Sequence, residues 1–228
     1  EYIIIDGKSI DGTLGIIKRY NKYICKIVSE SDHGIYDAMN KGIRQATGDY
    51  LIFMNSGDVF ISELICEKVA KKIKETDIFY GDSIAIDEES RIELMIKAKR
   101  LNSIYRGMIF SHQSVFTKLE LLKKHPFDIR FQISADFEQY ISFFLEGYKF
   151  KYFPQIVSKT QIGGLSYSNL NTLIEKIKIL VKKKVSPLFF ILMVPEIFVA
   201  IVRKIVGAKI EMFIRKVKWG FKQYKVSK

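Results

Sequence analysis

The polar residues that could carry chemistry in this chain follow short apolar runs. In the clearest case the run LIFM ends abruptly in NSGD at residues 55–58. Polar stretches at residues 6–7, 29–32 and 81–82 follow apolar runs in the same way. A turn would explain any one of them, because Asn, Ser, Gly and Asp all favour turns. Four such stretches indicate a common site, provided that the fold brings them to one edge.

Alternating strands and helices would bring them there. The apolar runs have the length of strands buried on both faces of a sheet, at residues 2–5, 23–29, 50–54 and 77–81. The segments between them have the length and apolar spacing of crossover helices, at residues 12–20, 35–46 and 63–75. This alternation predicts a doubly wound α/β fold, in which ligands bind at the carboxyl ends of the strands. Further along, we expect a hairpin (84–86 with 92–98), a helix (134–146) and a strand (148–153).

Composition is typical of a globular domain with a basic extension. The chain has 228 residues, of which 48% are hydrophobic and 27% charged, enough for one sizeable core. Cys25 and Cys66 are far apart in sequence, and the three histidines lack metal-ligand spacing. These features argue against a disulfide framework and a zinc site, and they favour a reducing compartment.

The net charge of +12 is concentrated at the C-terminal end of the chain. Residues 170–228 hold 14 basic and 3 acidic side chains, a net +11. The remaining 23 basic and 22 acidic side chains nearly cancel. A nearly neutral body argues against a nucleic-acid-binding surface there.

The basic extension has an amphipathic pattern. Lysines alternate with apolar residues over 173–185, and the apolar stretch 188–206 is interrupted by Pro195 and Glu196. A spanning helix needs about 20 apolar residues and rarely holds a charge at its centre. Basic amphipathic helices with aromatic residues, such as Trp219 here, are typical of the interface of anionic membranes. We therefore predict that residues 168–228 associate with a membrane surface; a re-entrant or spanning segment and a core or oligomer helix remain alternatives.

Five stretches of mixed apolar and polar residues occur together in one known family. They are EYIIIDGKSIDGT (1–13), DHGIYDAMNKGIRQATGDYLIFMNSGD (32–58), HQSVF (112–116), ISADFEQY (133–140) and GGLS (163–166). In these motifs the chain resembles the inverting family 2 glycosyltransferases with the GT-A fold, particularly their bacterial polysaccharide branch. The resemblance implies a Rossmann-like mixed sheet over residues 1–167, without the family's first strand and helix, followed by the amphipathic helical extension 168–228.

The resemblance also implies chemical roles for two carboxylates. Asp136, at the head of a predicted helix, would be the general base that takes the proton of the acceptor hydroxyl. A helix cap is the alternative for Asp136, and Glu138 is a weaker candidate for the base. Asp58 would bind Mg²⁺ or Mn²⁺ together with the donor diphosphate, because hard cations prefer oxygen ligands. The family usually has Asp-x-Asp at this place, whereas only the last acid is present here, and a turn cap is the alternative.

The remaining family positions would bind the nucleotide-diphospho-sugar donor. They are Asp6, Asp32, Asn40, Asn55, Gly57 and His112. Asp6 would contact the nucleobase, and His112 would bind donor phosphate or acceptor unless it is a core histidine. Lys41 could balance the diphosphate or could be a solvated helix lysine. The GGLS motif could be a loop that orders over substrate, or a plain turn.

These roles predict transfer of a sugar to a glycan or lipid-linked acceptor by a peripheral enzyme on the cytoplasmic face of the cell membrane. A non-catalytic or truncated nucleotide-sugar-binding module is the alternative, favoured by the reduced Asp-x-Asp motif and the missing first strand. Nucleic-acid binding through the extension is a third possibility. We expect no nucleic-acid partner, because the Phe, Ile and Leu stripe suits lipid better than base stacking.

Overall fold

The computed structural model of this protein describes residues 1–87, 92–161 and 170–187. The strands are β1 (Ile3–Asp6), β2 (Lys26–Ser29), β3 (Tyr50–Leu51), β4 (Val59–Phe60), β5 (Ile78–Asp87), β6 (Ile92–Ile96), β7 (Val115–Lys118) and β8 (Phe150–Gln161). The helices are α1 (Thr13–Arg19), α2 (Ile35–Gln45), α3 (Ile65–Ala70), α4 (Leu119–Lys124), α5 (Ala135–Leu145) and α6 (Leu170–Lys182). Short 3₁₀ turns cover Asn21–Tyr23, Leu101–Arg106 and His112–Ser114.

The strands form mixed parallel and antiparallel sheets that alternate with helices along the chain, which confirms the predicted α/β fold class. β1 and β2 pair in parallel, with Ile3 opposite Lys26. The other six strands form one sheet in the order β3-β7-β5-β8-β4, with β6 paired to β5. Of the four apolar runs at the start of the chain, only the first two pair in parallel with each other. β7 lies between β3 and β5 and runs antiparallel to both. The expectation that the four apolar runs form one parallel sheet is therefore wrong.

Strand β8 is much longer than the apolar run that predicts it. It pairs in parallel with β5, and the register shifts where Gly81 and Asp82 pass Pro154 and Gln155. A Cβ atom at Gly81 would lie 2.6 Å from the carbonyl oxygen of Gln155, so this close approach requires glycine. A bulge is also where a proline fits within a sheet, because its missing N–H breaks no ladder bond there.

The main core lies between the sheet and helices α2, α4, α5 and α6. Helix α5 is buried along nearly its whole length, and Phe137, Tyr140 and Ile141 are almost fully enclosed. From α6, Ile179 and Leu180 are fully buried in the same cluster. Each such side chain contributes about 1.5–3 kcal/mol by leaving water. Helix α6 is therefore part of the globular body.

The position of α6 changes the predicted boundary of the extension. Its apolar stripe, read from the sequence as a membrane-facing surface, packs against the body, because α5 and its neighbours offer an apolar surface to cover. Residues 188–228 and the GGLS motif at 163–166 lie outside the described residues, so membrane association and a substrate loop there stay predictions. Within ranges 1–87, 92–161 and 170–187, the structure contains no helix of the length and apolar character needed to span a bilayer.

Candidate active site

The NSGD stretch after β3 forms a closed turn at one end of the large sheet. The backbone N–H of Asp58 donates to the Asn55 carbonyl (3.0 Å), and the Asn55 N–H donates to Asp58 Oδ2 (3.2 Å). Gly57 has a φ of +87°, a left-handed conformation that favours glycine. The turn interpretation of this stretch is thus correct for the backbone, and it leaves the side chains of Asn55 and Asp58 to make contacts outside the turn.

Asn55 connects the turn to His112, which begins the 3₁₀ turn before β7. The Asn55 Nδ2 donates to His112 Nε2 at 2.9 Å. An amide nitrogen can only donate, so His112 Nε2 is the acceptor in this contact. His112 Nδ1 is 3.7 Å from Asp136 Oδ2. His112 therefore lies between the turn and the predicted base.

Asp136 lies in the first turn of α5 and is 8% exposed. Its Oδ1 accepts hydrogen bonds from the Tyr36 hydroxyl (3.1 Å) and from the Phe137 N–H (2.8 Å). Burial, followed by the nearby Asp136 carboxylate, raises the pKa of Tyr36 above its ordinary value, so this hydroxyl stays protonated and donates. Oδ2 accepts no hydrogen bond from the described residues, and it faces His112. One oxygen of Asp136 is thus anchored and the other is available to a substrate proton.

Glu138, the alternative base, is engaged elsewhere. Its Oε1 is 2.7 Å from Nζ of Lys183, directly after α6, and 4.0 Å from Nζ of Lys182, the last residue of α6. Of these two carboxylates, Asp136 is the one that contacts His112 and Tyr36. Asp136 can cap the helix and still act as a base, because the Phe137 N–H binds Oδ1 and leaves Oδ2 unoccupied.

Asp58 has one carboxylate oxygen, Oδ1, that accepts no hydrogen bond from the described residues. Gln113 Nε2 donates to Asp58 Oδ2 at 2.7 Å, the same oxygen that receives the Asn55 N–H. Among the residues that the structure describes, no group of three or more His, Cys, Asp or Glu could hold a metal ion. A divalent cation therefore fits here only if the donor diphosphate supplies most of its ligands. Asp58 Oδ1 would be its contact with the protein.

Asp6 and Asp32 come together at the ends of the paired strands β1 and β2. Asp6 is buried and accepts hydrogen bonds from Ser29 Oγ (2.6 Å) and the Ser9 N–H (3.1 Å). The hydrogen bonds from Ser29 and then Ser9 lower the pKa of Asp6 below its usual value, so it is ionised. A Cβ atom at Gly7 would lie 2.5 Å from Asp32 Oδ2, so the two loops are in close contact.

Comparison with known proteins assigns the chain to a family. Residues 1–134, more than half of the chain, match the model of Glycosyl transferase family 2. The chain belongs to this family. The match includes Asp6, Asp32, Asn55, Asp58 and His112, and it ends two residues before Asp136. The role of Asp136 therefore depends on the geometry around it.

Relatives of this family 2 glycosyltransferase occur in mycobacteria. A PGL/p-HBAD biosynthesis glycosyltransferase of Mycobacterium bovis is 30% identical over 185 residues, covering 77% of this chain and 70% of that protein. An uncharacterized glycosyltransferase of Mycobacterium tuberculosis is 43% identical over 143 residues, covering 60% of this chain and 55% of that protein. This chain thus spans only part of the length of both relatives.

Solved structures share the GT-A fold with this family 2 glycosyltransferase. Staphylococcus aureus TarS in complex with UDP-GlcNAc has a TM-score of 0.64 at 17% identity, and the similarity covers 82% of this chain and 58% of the TarS chain. The mannosyltransferase PcManGT of Pyrobaculum calidifontis, in complex with GDP-Man and Mn²⁺, has a TM-score of 0.60 at 14% identity. That similarity covers 99% of this chain and 72% of PcManGT.

Asn40 and Lys41, which the sequence suggested for the donor site, form hydrogen bonds and ion pairs with other residues of this glycosyltransferase. The Asn40 side-chain amide donates to the Phe127 carbonyl and accepts from the Phe127 N–H, both at 2.9 Å. Lys41 Nζ donates to the Ser31 carbonyl at 2.5 Å and pairs with Glu30 at 3.1 Å. We leave both residues out of the proposed donor site, because these internal partners use their polar groups.

We expect Asn40→Ala to destabilise the protein without weakening nucleotide binding. The substitution leaves the buried Phe127 N–H and carbonyl without the Asn40 side chain as their partner, which costs about 2–6 kcal/mol in total. Urea unfolding measures the loss, and calorimetry with UDP and Mn²⁺ measures binding at a temperature where the variant is folded. Asn102→Ala, at an exposed position in a 3₁₀ turn, is the control. A stable Asn40→Ala protein with weaker UDP binding would contradict the structural role.

Two residues of this site have no predicted role from the sequence. Tyr36 lies within the DHGIYDAMN motif and reaches Asp136, and Gln113 follows His112 and reaches Asp58. Both contacts join residues more than 50 positions apart in the chain. Their presence in the recognised motifs was the available signal, and only the three-dimensional contacts assign them a function.

Proposed function

We propose that this chain is an inverting glycosyltransferase that transfers a sugar from a nucleotide-diphospho-sugar to a glycan or lipid-linked acceptor in cell-surface polysaccharide biosynthesis. The observation that carries the proposal is the continuous set of contacts from Asp58 through Asn55 and His112 to Asp136. It links a carboxylate suited to the donor diphosphate with a carboxylate suited to the acceptor proton. The donors held by the structural neighbours TarS and PcManGT support a nucleotide sugar as substrate.

Asp136 is the general base of the proposed reaction. Its Oδ2 takes the proton of the acceptor hydroxyl while the hydroxyl oxygen bonds to the anomeric carbon. The bond from that carbon to the diphosphate oxygen breaks on the opposite face, so the configuration inverts. Tyr36 and the Phe137 N–H hold Oδ1 throughout, which fixes the direction in which Oδ2 points.

In this proposal, His112 and Asn55 fix the position of the base relative to the turn that binds the donor. His112 Nδ1 lies 3.7 Å from Asp136 Oδ2, which is too far for a hydrogen bond, and in the proposed reaction it contacts a substrate oxygen that enters between them. Asn55 holds the other ring nitrogen and belongs to the same turn as Asp58. Movement of the donor-side turn would therefore displace His112. Gly57 allows that turn to form. We propose that Asp6 contacts the nucleobase of the donor and that Asp32, beside Gly7, lines the same edge of the donor site.

Asp58 would hold Mg²⁺ or Mn²⁺ through Oδ1 while Gln113 and the turn orient its other oxygen. A bound cation neutralises the charge of the departing diphosphate. The structural neighbour PcManGT, which contains Mn²⁺, supports such a requirement. The single carboxylate is also the observation that favours a second candidate function, a module that binds nucleotide sugars without catalysis.

One experiment decides between transfer and binding alone. The full chain is incubated with a panel of nucleotide sugars that includes UDP-GlcNAc and GDP-mannose, together with a bacterial membrane lipid extract and Mn²⁺. Mass spectrometry of the products is expected to show one hexose or N-acetylhexosamine added to an extract component. Nucleotide-sugar binding by calorimetry without any product across the panel would favour the binding module instead.

We further propose that residues 188–228 attach the enzyme to the cytoplasmic face of the cell membrane. They hold nine basic and two acidic side chains among apolar residues. Each basic residue contributes about 1 kcal/mol near an anionic surface, and burial of apolar side chains adds to this. Because α6 packs on the body, the separable segment begins after residue 187 and not at residue 168.

Truncation after residue 187 is expected to give a folded protein that no longer sediments with anionic liposomes. The full chain should sediment with them, and salt should weaken this binding without abolishing it, since lipid burial is not screened. Neutral phosphatidylcholine liposomes are the control for the electrostatic contribution. Complete release by 0.5 M salt (a Debye length of roughly 4 Å), or resistance to alkaline carbonate, would contradict interfacial binding. A second truncation at residue 167 should unfold, because it removes Leu173, Ile179 and Leu180 from the core.

A further inference from the structure

Glu175 of helix α6 binds the segment that leads into helix α5. Its carboxylate accepts hydrogen bonds from three successive backbone N–H groups, those of Gln132 (3.0 Å), Ile133 (3.1 Å) and Ser134 (2.8 Å). Hydrogen bonds to an ionised carboxylate are shorter and about twice as strong as neutral ones. A single side chain, distant in sequence, therefore orders three consecutive residues just before the predicted base.

At this end of α5, the side-chain acceptor that the helix itself supplies is Asp136 Oδ1, which binds the Phe137 N–H, and the N-cap position adds none. Ser134 is the N-cap residue, yet its side chain makes no capping hydrogen bond, and its buried Oγ has no hydrogen-bond partner among the residues that the structure describes. N-terminal backbone N–H groups need acceptors, and negative charge stabilises a helix at this end. From α6, Glu175 supplies an acceptor and a negative charge to the N-cap residue Ser134 and to the two residues before it, so the segment that leads into α5 depends on a residue of another helix.

The segment held by Glu175 also positions the partner of Asp136. The Ile133 carbonyl accepts a hydrogen bond from the Tyr36 hydroxyl at 2.8 Å, and the same hydroxyl contacts Asp136 Oδ1 at 3.1 Å. Asp136 itself follows Ser134 by two residues in the first turn of α5. A shift of residues 132–134 would therefore move both the carboxylate and the hydroxyl that orients it.

We propose that Glu175 is a positioning residue for the general base of the transfer reaction, acting through the backbone of residues 132–134 and not through substrate contact. The inference rests on the proposed function. It makes α6 part of the framework of the active site as well as of the core. The sequence motifs limit the predicted catalytic domain to residues 1–167. A positioning role for Glu175 means that the catalytic domain also includes α6.

Simple docking of α6 is the competing explanation, and the structure provides a control for it. Lys183, directly after α6, forms an ion pair with Glu138 of α5, and among the described residues it forms no hydrogen bond or ion pair with residues 132–134. Lys183→Gln therefore weakens the attachment of α6 while leaving the Glu175 contacts in place. Loss of activity through docking alone would affect both variants, whereas a positioning role affects only Glu175.

The test compares wild type, Glu175→Gln and Lys183→Gln in initial-rate kinetics. The donor is whichever of UDP-GlcNAc and GDP-mannose yields product with the lipid extract. Misplacement of a reacting group by about 1 Å can cost on the order of a hundredfold in rate. We expect kcat of Glu175→Gln to fall by roughly 10- to 100-fold, with the donor KM and the UDP affinity in Mn²⁺ close to wild type. Lys183→Gln should keep a wild-type kcat.

The possible results separate this inference from the proposed function. A Glu175→Gln enzyme with wild-type kcat, or an equal loss in Lys183→Gln, would overturn the positioning role alone. A folded wild-type chain that transfers no sugar would overturn the proposed function and this inference with it. If Glu175→Gln does not fold, Glu175→Asp replaces it, because the shorter side chain keeps the charge but not the reach to all three N–H groups. A wild-type kcat in that variant would likewise overturn the inference.

Discussion

Asp136→Asn is expected to reduce the rate of sugar transfer by 10²–10⁴-fold, the usual contribution of a positioned general base. Nucleotide binding should be nearly unchanged, because the base acts on the acceptor and not on the donor. The substitution isolates the proton transfer. The Asn Oδ1 can still accept from Tyr36 and from the Phe137 N–H, whereas the amide nitrogen that replaces Oδ2 cannot take a proton.

Two measurements check this expectation. Product formation followed by mass spectrometry gives the transfer rate, and calorimetry with UDP and Mn²⁺ gives nucleotide affinity. Glu138→Gln is the matched control, since it removes a carboxylate of the same helix that pairs with Lys183 and not with His112. Transfer by Asp136→Asn at more than about a tenth of the wild-type rate would show that another group is the base.

Asp58→Ala is expected to remove most of the metal-dependent part of nucleotide affinity. Asp58 is the carboxylate of the NSGD turn, and a cation there would lose its contact with the protein. Even residues that only orient a metal ligand typically contribute 10- to 100-fold to metal affinity, so we expect a loss of at least about tenfold in Mn²⁺. Without metal, the two proteins should bind UDP with similar affinity.

Calorimetry with UDP in the presence and absence of Mn²⁺ measures this difference directly. Asp49→Ala removes an exposed carboxylate just before β3 and serves as the control for net charge. Part of any effect could come from the turn, since Asp58 accepts the Asn55 N–H. Asp58→Asn keeps an acceptor for that N–H and should lose the Mn²⁺-dependent affinity as well. Equal UDP affinity of wild type and both variants under both conditions would exclude Asp58 from a metal site.

Several features of this protein followed from the sequence by itself. The α/β class, helices α2 and α5 and the hairpin of β5 and β6 were correctly predicted, because local periodicity and turn residues encode them. The motifs correctly indicated family 2. They also marked Asn55, Asp58, His112 and Asp136, which the fold brings into one set of contacts. Polar residues that interrupt an apolar run can be recognised locally, although not every such place ends a strand, since Gly81 and Asp82 lie inside β5.

Long-range packing decided the rest. Asn40 and Tyr36 lie four residues apart on the same face of α2, and the sequence pattern does not distinguish their roles. Asn40 nevertheless binds the Phe127 backbone, whereas Tyr36 donates to Asp136. In the sequence, the apolar stripe of α6 could face either lipid or protein. The apolar surface of the globular body that α6 covers determines which of the two it contacts. A side chain's partner depends on which distant segment covers it. Periodicity records that a residue is buried or polar, and only the tertiary structure determines what it contacts.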